Sequence, residues 1–136
     1  MATTTATITL SSTDLLSDEL ALSTTAALTK AGNSTGLAGT EGLARKTTVS
    51  ASQYTLFAAA SYTDNKAHKI YLKNMETDAS LYFLISIHDV EVGRIYAGDW
   101  AFIPWSADTP SDPADFKITP STSASHTLEY MLFTDE

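Results

Sequence analysis

Three histidines, His68, His88 and His126, are the side chains best suited to moving a proton near neutral pH or to holding a metal ion. Each lies in or beside a different strand-like run, and none stands at a ligand spacing such as His-x-x-x-His. They are expected at the surface or at strand edges. Serine and aspartate are plentiful enough for a Ser-His-Asp triad, which is recognised by geometry rather than by chain order. No serine, however, occupies a Gly-x-Ser-x-Gly elbow. Asp89 and Glu91 match a glycosidase only in composition, because the carboxylates of such a pair come from separate elements across a cleft. A solvated turn accounts for them. Asp108, Asp112 and Asp115 flank a proline-bearing loop suited to calcium, but their spacing of four and three is not that of an EF-hand. A soluble acidic loop is the simpler expectation. Residues 30–43 carry Gly32, Gly36, Gly39 and Gly42, yet lack the Gly-Lys-Ser/Thr end and the following helix of a phosphate cradle. No catalytic residue, metal or cofactor is expected.

Composition narrows the classes further. A chain of 136 residues is the ordinary size of one domain with one core. Sixteen acidic residues against eight basic ones give a formal charge of −8, which repels the phosphates of nucleic acids and anionic membranes. Cysteine is absent, so stability must come from packing or assembly rather than from disulfides. The start, Met1-Ala2-Thr3-Thr4-Thr5, lacks the basic and unbroken apolar stretches of a signal peptide, and no later run approaches the ~18 apolar residues of a membrane helix. Synthesis in a cytoplasm is the expectation.

The elements that must position any site are short runs rich in β-branched and aromatic residues, bounded by turn residues. Residues 67–105 form the centre: strands are predicted at 69–73, 81–88, 92–96 and 100–105, read as a four-strand meander. In the second run Leu81, Phe83, Ile85 and Ile87 share a wholly apolar face, which marks a central strand. Earlier, Ala6, Ile8 and Leu10 alternate along a strand or extended arm, and Leu20, Leu22, Ala26 and Leu28 share a second period-two face. Further strands are predicted at 45–51, 53–57, 116–119 and 126–133, with a short helical turn near 58–62. The fold expected is all-β, an antiparallel, jelly-roll-like β-sandwich. It divides into an extended N-terminal segment over 1–30, a Gly-rich loop over 31–44 and a sandwich body over 45–136.

Binding is the remaining chemistry. Ile8 and Leu10 sit on an uncharged segment suited to lying along a neighbour or adding a strand to its sheet. Arg45 and Lys46 are the only adjacent basic pair and are candidates for docking an acidic surface. Trp100 and Trp105 differ by an odd number, so a straight strand puts one in the core and the other outside. Pro104 suits an edge strand, which suggests that Trp105 is the exposed one. Tyr96 and Trp105 are then platforms for a sugar or a protein partner.

Several stretches resemble the head decoration (cement) proteins of tailed bacteriophages. They are the Ser/Thr/Ala-rich start, Lys69-Ile70-Tyr71-Leu72-Lys73-Asn74 with its polar turn, and the run 81–87. They continue with Gly93-Arg94-Ile95-Tyr96-Ala97-Gly98-Asp99-Trp100 and Leu128-Glu129-Tyr130-Met131-Leu132-Phe133. The resemblance implies a non-enzymatic virion protein on the capsid exterior, bound to the major capsid protein as a monomer or homotrimer, with no catalytic residues. The alternative is a carbohydrate- or receptor-binding sandwich of a phage tail or fibre. The Gly-rich loop and the N-terminal segment depart from a compact sandwich of that kind.

Overall fold

The computed structural model describes residues 4–15, 17, 19–29, 37, 39–108 and 113–135. The chain is all-β with antiparallel sheets and falls into two units, 1–38 and 39–136. The first unit is a hairpin of β1 (Thr5–Ser12) and β2 (Leu20–Ala27), paired residue for residue from Thr5 with Ala27 to Ser12 with Leu20. The second of these segments is a strand, as its period-two face predicts, and Ser23, Thr24 and Thr25 favour that extended backbone.

The second unit contains β3 (Gly39–Thr40), β4 (Ala44–Thr48), β5 (Tyr54–Phe57), a 3-10 turn at Ala59–Ser61, β6 (His68–Asn74), β7 (Tyr82–Ile87), β8 (Val90–Tyr96), β9 (Trp100–Trp105), β10 (Phe116–Pro120) and β11 (His126–Thr134). One sheet runs β5-β10-β7-β8. The other runs β11-β6-β9, with β3 and β4 side by side along the free edge of β11. Gly39 and Thr40 are therefore sheet rather than loop. Gly39 leaves room there for the Thr134 hydroxyl, which a Cβ would force into another rotamer. Of the rest of the predicted Gly-rich loop, 31–36 and 38 lie outside the described residues, Leu37 is buried, 41–43 join β3 to β4, and Ala44 begins β4.

The predicted meander is corrected by the pairing. β7 and β8 form a hairpin in one sheet, while β6 and β9, which flank them in sequence, pair with each other in the second sheet. Asn74 holds this crossover. Its buried amide donates to the carbonyls of Leu81 (3.2 Å) and Ile95 (3.1 Å), and its oxygen accepts the Glu76 N–H. The three-residue joint 97–99 returns the chain to β9, with Gly98 at φ +82°.

The inner faces alternate as period two demands. Ile70 and Leu72 of β6, Phe83 and Ile85 of β7, Phe116 and Ile118 of β10, and Leu128 and Leu132 of β11 are buried. β7 is central, as its apolar face predicts. Aromatic contacts join the two sheets: Phe57 on β5 meets Trp105 on β9 at 5.9 Å and Tyr130 on β11 at 5.7 Å. Phe83 on β7 meets His126 on β11 at 5.6 Å.

Two expectations about side chains are overturned here. Trp105 is the core tryptophan, 3% exposed, and Trp100 is the surface one, 54% exposed. Pro104 does lie on an edge strand, but Trp105 opposes the buried His68 and so faces inward, where its indole N–H donates to the Ala114 carbonyl at 2.7 Å. His68 and His126 are likewise fully buried rather than at the surface, each packed against an aromatic ring. Trp105→Ala should cost about 3–5 kcal/mol and Trp100→Ala under about 0.5 kcal/mol in urea unfolding. Equal costs would contradict this placement.

Candidate functional site

Buried histidines raise the question of chemistry anew, and His126 has a serine beside it. Its Nδ1 lies 2.7 Å from the Ala124 carbonyl and its Nε2 lies 3.2 Å from Ser121 Oγ. A carbonyl only accepts, so Nδ1 carries the proton and the neutral ring takes the Ser121 hydroxyl at Nε2. That is the polarity of a serine–histidine pair. The third member, however, is a backbone carbonyl instead of a carboxylate, and Ser121 Oγ also accepts the Tyr82 N–H at 3.2 Å. Ser121 N–H in turn donates to the Tyr82 carbonyl. With donor and acceptor both engaged, the serine ties the turn between β10 and β11 to the start of β7. No cavity opens beside it among the described residues.

His68 is held by its Nδ1, which accepts the Asp135 N–H at 3.3 Å, and by its ring, which lies against Tyr62 and Trp105. His88 is exposed in the β7–β8 turn at φ 55°, followed by Asp89 at φ 56°. Asp89 accepts from Lys117 Nζ at 2.8 Å, and this bond holds its carboxyl below the usual carboxylate range. Glu91 pairs with Arg94 at 3.2 Å, so the two acids serve separate surface ion pairs. Of the acidic-loop candidates, Asp112 lies outside the described residues, and Asp115 caps the 3-10 turn by accepting the Ala59 N–H. Among the described residues no three His, Asp or Glu side chains gather as metal ligands.

The binding candidates divide into those placed for contact and those engaged internally. Ile8 and Leu10 stand on one face of the hairpin, 37% and 48% exposed. Register puts Leu22, 48% exposed, directly opposite Leu10 on that face. The opposite face is hydroxyl-lined, with Thr7 bonded to Thr25 at 2.8 Å and Thr9 to Ser23 at 3.4 Å. Neither strand carries a charge, and among the described residues each pairs with the other alone. Arg45 does not project freely: its Nε and Nη2 both reach Glu129 Oε2, at 3.0 and 2.9 Å. Lys46 lies over the Tyr54 ring, 5.3 Å from its centroid. Tyr96 is 42% exposed and packs on Tyr82 at 5.1 Å on the outside of one sheet, while the exposed Trp100 stands opposite Lys73 on the outside of the other. Trp105 is removed from this group by its burial. Leu22 and Tyr82 were missed as site residues because cross-strand register, which pairs them with Leu10 and Tyr96, is not written in one strand alone.

Compared with known proteins, the chain matches no family model, no curated sequence and no solved structure. Function has to be argued from the geometry.

Ser121→Ala strands both the Tyr82 N–H and His126 Nε2. It should lower unfolding stability by about 1–3 kcal/mol in urea titration, while Ser123→Ala on the exposed turn should change it by less than about 0.5 kcal/mol.

Proposed function

We propose that this chain is a non-enzymatic structural protein of a tailed-phage virion, a head decoration protein that binds and stabilises the capsid lattice from outside. The observation that carries the reading is the hairpin. A two-stranded sheet is at best marginally stable in water and needs a third strand or a packing surface. Here two eight-residue strands leave Ile8, Leu10 and Leu22 in solvent, with no charge, proline or bulge guarding either edge. Such an element is unfinished until a partner covers its apolar face or adds a strand to its edge.

Its size fits a lattice better than a single tight complex. Eight residues at ~3.3 Å across two strands make a footprint of roughly 250 Å², well short of the ~800 Å² per partner of a standard stable interface. Attachment at many symmetric positions makes up for weak single contacts. Supporting the non-catalytic part of the reading, the buried histidines and Ser121 are engaged in holding strands together. The jelly-roll-like body and the trimeric state implied by the resemblance belong to the same proposal.

A second reading, carbohydrate binding at a tail or fibre, has one observation in its favour: Tyr96 and Trp100, at the two ends of the β8–β9 joint, are each exposed.

In co-sedimentation with purified capsids, the full chain should pellet with them. The double variant Leu10→Asp, Leu22→Asp should bind at least roughly tenfold more weakly while keeping the thermal transition of the sandwich. Unchanged capsid binding by that variant counts against the hairpin's role. Glycan-array binding that is lost in Trp100→Ala favours the second reading instead.

A further inference from the structure

The outer faces of the two body sheets differ in charge. On the β5-β10-β7-β8 sheet the outer rows carry Lys117, Thr119 and Arg94 beside Leu84, Tyr82 and Tyr96, with Val90 and Val92 exposed on β8, and Lys117 and Arg94 are paired with Asp89 and Glu91. The basic side chains of that face are neutralised by acids. On the other sheet, register aligns Met131, Tyr71 and Phe102 in one outward row across β11, β6 and β9. The next row aligns Phe133, Lys69 and Pro104, and the Phe102 and Phe133 rings meet at 6.0 Å across β6. The preceding row ends in the exposed Trp100, opposite Lys73.

Methionine and aromatic residues in the middle with charges around them is the composition of a protein interface rather than of a solvated sheet. Burial, with the charge of Glu129 and its hydrogen bond next in importance, already pushes the Tyr71 phenol above its usual range. The charge at the rim is positive. Among the described residues of this face Arg45 is paired with Glu129, which leaves Lys69 and Lys73 to set the sign of the charge. Of the chain's eight basic and 16 acidic residues, three and one lie on this face, so everything else holds five against 15.

We infer that this face is a self-association surface, on which a second copy of the chain seats part of its acidic exterior. Charge selects the arrangement. Packing this face on itself gathers Lys69 and Lys73 of both copies in one contact, whereas a head-to-tail contact sets them against the acidic remainder of the neighbour. Such a contact closes into a ring when its rotation allows. The patch measures roughly 20 by 15 Å, about 300 Å², so the association is weak and concentration-dependent. The inference concerns the free protein and does not depend on capsid binding.

Sedimentation velocity of the full chain from about 10 µM to about 1 mM, at low and at high salt, tests it. Expected are a sedimentation coefficient that rises with concentration, and a shift of that rise to higher concentration in 0.5 M salt. Phe102→Asp should leave the chain monomeric throughout, with far-UV circular dichroism unchanged. Lys73→Glu should weaken association roughly tenfold and remove most of its salt dependence, and Leu10→Asp in the hairpin should leave it intact. A wild-type monomer at every concentration overturns the inference. So does association that survives Phe102→Asp, that is untouched by Lys73→Glu, or that is abolished by Leu10→Asp.

Discussion

The body depends on a few rings that reach from one sheet to the other. Phe57 leaves β5 and meets Trp105 and Tyr130 of the opposite sheet, while Phe83 meets His126. Packing of this kind is worth several kcal/mol per ring only if the polar atoms carried inside find partners. Several do: the Trp105 indole reaches Ala114, His126 reaches Ser121 and Ala124, and the Asn74 amide binds Leu81 at the entry to β7 and Ile95 of β8. The same residues that look like chemistry in the sequence are thus the polar fasteners of an apolar core. They tie turns and strand ends into a rigid body whose remaining freedom to act lies on its outside.

That constraint decides where function can be sought. With its inner faces closed, the body offers an ion-paired outer face that carries the exposed Tyr96 and an apolar outer face rimmed by lysine that ends in the exposed Trp100. The separate hairpin offers an uncharged pair of edges. A protein that holds other proteins together needs contacts of this sort, several and individually weak.

Much of the strand inventory was legible because β-branched and aromatic runs between turn residues leave few alternatives. Residues 81–88 announced a central strand through one apolar face, and β7 is flanked on both sides. The odd spacing of Trp100 and Trp105 also gave the right answer, one in and one out. The choice between them failed because Pro104 reports on backbone pairing at an edge and says nothing about which way the next side chain points. Pairing was the harder problem. Seven residues between β6 and β7, and three between β8 and β9, serve a hairpin as readily as a change of sheet, and only the contacts of Asn74 with both strands distinguish the two. The buried histidines were misplaced for a related reason, since their partners are a serine, a carbonyl and an N–H brought near by that same pairing. The apolar outer row of Met131, Tyr71 and Phe102 is invisible until three strands far apart in sequence are aligned.

A cryo-electron microscopy reconstruction of capsids incubated with the purified protein is the most direct measurement. If the chain decorates a phage head, density matching the two-sheet body occupies symmetry-related positions on the outer surface, with β1 and β2 continued into, or covered by, the major capsid protein. Bare capsids at saturating protein, or density joined to the shell only through the ion-paired outer face with the hairpin free in solvent, contradict it.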